Sequence, residues 1–214
     1  MPSIQVAGHT IRNPTQSIRD YLSAHERTIK DFDLVAGSSP GVLTPELVTA
    51  SRVLSSRITM AEQRWLVEVQ VGAPWELVSL ADRFTDADAS QVGGLYDRAN
   101  VLWSYFWEDR PKGFATAKLS KILFLMRPKC YPIVDSHITR RYRSQVKTLK
   151  PVVFAARPEL VGKDNLTWEA YRLDLVGATP ALAAVREGLR KGTPLERSIA
   201  NYVSDLRLFD MLAW

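Results

Sequence analysis

Hydrophobic and polar positions along this chain recur mostly at helical spacing, with one exception near the start. In IQVAGHTI the two classes alternate around Gly8, which predicts a short strand pair ahead of Pro14. In TQSIRDYLSAHERTIKDF the period changes. Ile18, Tyr21, Leu22 and Ile29 fall on one helical face, with Thr15 as the candidate cap. VAGSSPGVL reads as a Gly/Ser/Pro loop. TPELVTASRVLSS then offers Thr44 as cap with Pro45 at the first helical position, and TMAEQRWLVEVQ offers Thr59. PWELVSLADRF is predicted as a third short helix.

Further on, DADASQVGGLYDRANVLWSYFWEDRPKG is predicted to be mostly helical, weakened by Gly93 and Gly94. Leu95, Ala99, Leu102 and Phe106 share its apolar face. Pro111 and Gly113 break the pattern, and GFATAKLSKILFLM restarts it. Its buried stripe would be Ala115, Leu119, Ile122, Leu123 and Met126, with Lys118 and Lys121 off the stripe. Pro128 and Pro132 bracket an extended connector, after which Asp135 or Ser136 can cap a helix through HITRRYRSQV. TWEAYRLDLVG, TPALAAVREGLRKG with Gly192 as its stop, and PLERSIANYVSDLRLFDMLAW complete the chain. The fold class is therefore all-α, a multi-helix domain with a short N-terminal β-hairpin. It is read as one mostly helical domain over 1–214, or as two parts, 1–109 and 110–214.

Composition narrows the setting. The opening MPSIQVAGHT lacks a basic stretch followed by an apolar one, and no apolar run approaches the length of a membrane span, so neither a secretory signal nor a membrane is expected. Cys130 is the only cysteine, which excludes an internal disulfide. With His9, His25 and His137 scattered, no metal site and no cofactor are expected, and a cytoplasmic location is the default. Cys130 itself reads as a small buried hydrophobe.

Charge changes the picture more. The net charge is +5, but residues 110–150 hold eleven basic side chains and one acid, Asp135. The rest of the chain holds seventeen basic and twenty-two acidic residues. Concentrated positive charge is the footprint of a phosphate-rich partner, DNA or RNA, and equally of a solvated basic face. Lys118, Lys121, Arg127, Lys129, Arg140, Arg141 and Arg143 are the candidate phosphate contacts, which would add affinity and salt dependence but little sequence choice.

The order of elements around Asp135 also carries a resemblance. YPIVDSHITRR resembles the segment F-P-x-x-D-x-x-V-x-R of the helix-hairpin-helix DNA glycosylase superfamily, and KGFATAKLSKIL stands where that superfamily has its hairpin. The likeness covers about residues 110–143. It implies a degenerate helix-hairpin-helix core and an aspartate, here Asp135, at a helix start facing an extruded nucleotide. That carboxylate would stabilise positive charge on a sugar or deprotonate water. The sequence departs from the pattern in keeping only Gly113 of the hairpin glycines. It has Ala115 where bifunctional members place a nucleophilic lysine, which counts against Schiff-base lyase chemistry. LVTASRVLSS, KILFLMRPKCYPIVDS and LRLFDMLAW together resemble a bacterial family of uncharacterised proteins, over most of residues 34–214.

Each candidate has a plainer reading. Asp135 can be an N-cap alone, or pair with Arg140 or Arg141. His137 reads as a surface or hydrogen-bonded polar residue. Tyr131 and Tyr142 read as packing residues, and Trp103, Trp107 and Trp214 as core. Asp210, inside an apolar helix, is expected to pair with an arginine of the basic segment, or to be a second acid of a site. Three functions follow: a non-catalytic nucleic-acid-binding protein, placed first; a monofunctional glycosylase-type hydrolase using Asp135; and a protein-interaction or regulatory module with a basic surface. The oligomeric state stays open.

Overall fold

A computed structural model describes residues 3–39, 41–162 and 166–214. The strands β1 (Ile4–Val6) and β2 (His9–Ile11) pair antiparallel, with Ile4 opposite Ile11. Ala7 and Gly8, at φ 51° and 80°, make the tight turn that this hairpin requires. The helices are α1 (Pro14–Ala24), α2 (Glu26–Thr28, continued by a π-helical turn at Ile29–Asp33), α3 (Pro45–Ala50), α4 (Met60–Val69), α5 (Leu95–Glu108), α6 (Thr116–Met126), α7 (Ser136–Arg141), α8 (Arg143–Ala156), α9 (Thr167–Arg190), α10 (Pro194–Tyr202) and α11 (Asp205–Ala213). The all-α class with a small N-terminal hairpin is what the periodicity predicts.

Local chemistry explains most boundaries. Thr44 caps α3, and Thr59 with Glu62 forms a capping box on α4. The cap of α1 is Asn13, not Thr15: the Asn13 side chain accepts from Gln16 N, which leaves Pro14 at the first helical position. PWELVSLADRF is not a helix beyond a single 3₁₀ turn at Trp75–Leu77. Arginine side chains take the carbonyls that a longer helix would need. Arg127 donates to Val78 O at 2.5 Å and Trp75 O at 3.3 Å, and Arg98 to Leu77 O at 3.0 Å.

Two expectations near the C-terminus are also revised. α9 runs unbroken through Pro180, because its buried residues Tyr171, Leu175, Ala178, Leu182, Val185 and Leu189 keep helical spacing across the proline. Burial of that stripe outweighs the ~3 kcal/mol of an interior proline. Conversely, PLERSIANYVSDLRLFDMLAW divides. Val203 is extended, and Ser204 starts α11 by accepting from Arg207 N while donating to Pro128 O at 2.6 Å.

α9 is the central element, packed against β1, α1, α8, α10 and α11. One apolar cluster runs from Ile4 to Ala213 and takes residues from both 1–109 and 110–214. All of Leu206–Ala213 is buried, including two charges. Arg207, 1% exposed, bonds Asp33 at 2.6 Å, pairs with Asp210 in its own helix, and donates to Tyr21 Oη at 3.1 Å. Asp210 is therefore matched by Arg207 three residues earlier, and not by an arginine of the basic segment.

No helix among the described residues is long and apolar enough to cross a membrane.

Candidate functional site

The region around Asp135 is assembled by a buried connector. After α6, Arg127 is 5% exposed and spends its guanidinium on main-chain carbonyls of residues 75, 78 and 126. Tyr131 is buried and donates to Ala99 O of α5 at 2.8 Å. Ser120 of α6 donates to Val134 O at 3.1 Å and accepts from Val134 N at 3.2 Å. Cys130 is buried as expected, and burial pushes its thiol up to about 12, far from a reactive thiolate. These bonds clamp the connector to α5 and α6 and deliver Asp135 to the start of α7.

Asp135 is the N-cap of that helix. Its Oδ1 accepts from His137 N at 2.8 Å and Ile138 N at 3.0 Å. Both bonds fall on one carboxylate oxygen, so the cap does not use Oδ2. The residue is half-buried and lies on the wall of an open groove of about 1050 Å³. α5 contributes Asn100, Trp103 and Trp107; α6 contributes Thr116 and Lys121; Thr139 and Arg140 come from α7, Arg143 from α8, and Trp168 from α9, with Trp214 at the edge.

The groove is unusually rich in indoles. Trp103 and Trp107, one turn apart on α5, stack at 6.0 Å between centroids, and Trp168 meets Trp103 edge-on at 5.3 Å. Arg110 lies over the Trp107 ring at 3.5 Å. Trp214 is 53% exposed and stacks on His137 at 6.0 Å. The expectation that Trp214 packs in the core is thus corrected, and Trp103 and Trp107 are half-buried, with the core behind them and the groove in front. The signal available in the sequence was the i, i+4 spacing of Trp103 and Trp107 followed by Arg110.

The seven candidate cations separate into distinct roles. Arg140 and Arg143 are exposed and line the groove. From them a stripe of exposed cations continues along α8 through Lys147 and Lys150. Lys129 is exposed but lines a second cleft of about 610 Å³ with Arg83 and Tyr202, apart from Asp135. Lys118 bonds Glu62 at 2.6 Å, and Arg141 donates to Ala213 O at 2.8 Å. Arg127 is structural.

Lys121 departs furthest from expectation. Instead of lying off the stripe it is 6% exposed, because α6 is buried on nearly every side from Leu119 to Met126. Its Nζ donates to Leu54 O at 2.6 Å. Burial lowers its pKa, only partly countered by the charges of Asp135 and Asp210.

Among the described residues no group of three or more His, Cys, Asp or Glu is placed to hold a metal ion. No curated protein and no solved structure matches the chain. The model of a family described as of unknown function, DUF6308, matches residues 14–214, and the chain belongs to that family.

Proposed function

We propose that this groove binds a nucleic-acid strand, with bases against the indole wall and phosphates on Arg140, Arg143 and the cations that continue along α8. The observation that carries the reading is the meeting, in one groove, of partly exposed Trp103, Trp107 and Trp168 with exposed arginines. Indoles accept any base by stacking, and arginines neutralise phosphates, which is how single strands are held without sequence readout. The resemblance of residues 110–143 to the glycosylase superfamily supports the same reading. Fluorescence anisotropy with labelled single-stranded and duplex DNA, repeated across salt, tests this. Binding at low salt that weakens steeply as salt rises is expected, and Trp107→Ala should cost about 1–3 kcal/mol of strand affinity. No binding at low salt to DNA or RNA would sink the reading.

Asp135 on the groove wall favours a second reading, hydrolysis of an N-glycosidic bond with this carboxylate stabilising the sugar cation or activating water. Base release from lesion-bearing strands by wild type and not by Asp135→Asn would support it; equal release by both would end it. A protein-interaction module gains less support, since Lys118, Lys121, Arg127 and Arg141 spend their charge inside the protein.

A further inference from the structure

The second cleft, of about 610 Å³, shares no lining residue with the Asp135 groove. It is formed where α9 runs on through Pro180 and where the chain divides at Val203. α9 supplies Leu175, Val176 and Thr179 to one wall, and the extended break between α10 and α11 supplies another. Residues 83–85 and 128–129 complete it. Two bonds stitch these segments together. Phe84 N donates to Lys129 O at 2.8 Å, and Ser204 Oγ donates to Pro128 O at 2.6 Å. The walls are thus held by the fold itself.

The chemistry of the cleft is divided. Phe84, Leu175, Val203 and Leu206 are buried and give it an apolar lining. Val176, 43% exposed, and Tyr202, 78% exposed, carry that lining out to the surface. Its charges are unequal, three cations to one acid. Arg186 is spent on Asp205 and on the carbonyls of Ala200 and Val203. Arg83 and Lys129 are exposed, and among the described residues their side chains have no ion-pair or hydrogen-bond partner. The bond from Phe84 N to Lys129 O sets the main chains that bear these two cations side by side.

We infer that this cleft binds a small organic anion, with an aromatic or hydrocarbon body in the lining and its carboxylate on Arg83 and Lys129. The volume is that of a small-molecule site, and apolar walls with a few placed polar groups are the usual composition of one. A guanidinium takes a carboxylate through two parallel N–H donors, and an ammonium adds a point charge. Two adjacent cations make a single anchor and not a stripe, which suits one acid group in place of a run of phosphates. The inference stands independently of the nucleic-acid reading.

Isothermal titration calorimetry on the full chain with phenylbutyrate tests it. Phenylbutanol keeps the body and loses the charge; acetate keeps the charge and loses the body. Saturable one-to-one binding of phenylbutyrate is expected, with both controls weaker by about tenfold or more. Arg83→Gln with Lys129→Gln should bring phenylbutyrate down to the level of phenylbutanol. Val176→Glu should weaken it as well, by charging the apolar rim. Arg140→Gln with Arg143→Gln, in the other groove, should leave it unchanged. All five positions are exposed, so these variants keep the core intact. No saturable binding of phenylbutyrate overturns the inference, as does equal binding of phenylbutanol. Loss in the 140/143 variant with none in the 83/129 variant overturns it too, by placing the anion in the groove. Strand binding is measured separately, so failure of either reading leaves the other standing.

Discussion

At the scale of single residues, the structure separates roles that one side chain combines. Asp135 holds α7 by its cap and faces the groove with the same carboxylate. Asp135→Ala should therefore lower stability by about 1 kcal/mol in urea unfolding, whereas Asp135→Asn keeps an acceptor for the cap and loses only a few tenths. A change in activity or binding in the asparagine variant then reports the charge and not the fold. Asp210 is a second case. Burial raises its pKa to about 6 despite Arg207, since one guanidinium serves two buried carboxylates, Asp33 and Asp210. A carboxyl raised in the folded state binds its proton more tightly there than when unfolded. Its stabilisation is present below the unfolded value near 4 and is lost as pH rises to about 6. Urea midpoints of wild type relative to Asp210→Asn should fall between pH 4.5 and pH 7; a constant difference would refute the assignment. Asp135 as a cap was legible, because a short polar acceptor after a proline-bracketed connector has few other uses. The fate of Lys121 was not, since its one apolar stripe gave no sign that the other faces of α6 would be covered too.

At the scale of elements, the same contrast recurs. Helices whose start is written in local chemistry, such as α3 and α4 with Thr44 and Thr59, are legible. PWELVSLADRF reads as a helix by composition, and distant arginines at 98 and 127 overrule it by claiming its carbonyls. The turn between α5 and α6 offers a direct test. Gly113 sits at φ +87° with open space where a Cβ would go, so Gly113→Ala meets backbone strain without a clash. A loss of about 1–2 kcal/mol in thermal or urea unfolding is expected. Because the turn sets the α5–α6 angle, strand binding should weaken with it.

At the scale of the whole molecule, what the chain-wide charge count showed as one basic block is two populations. Some cations are spent on carbonyls and carboxylates, and a stripe at positions 140, 143, 147 and 150 faces solvent. Arg140→Gln with Arg143→Gln should flatten the dependence of strand affinity on salt by roughly 0.7 per contact removed, measured as log affinity against log salt. Lys129→Gln, in the other cleft, should leave that slope unchanged. The groove itself was not legible as a unit, because its walls come from α5, α6, α7, α8 and α9. The bond between Asp33 and Arg207 joins residues 174 positions apart. During synthesis at about 5–20 residues per second, the N-terminal helices thus wait on the order of ten seconds or more for the partner that neutralises Asp33. Until α11 leaves the ribosome, α1 and the turn that follows it have no finished core to join. A nascent chain stalled before residue 205 should stay sensitive to protease along its whole length, with protection arriving in a single late step.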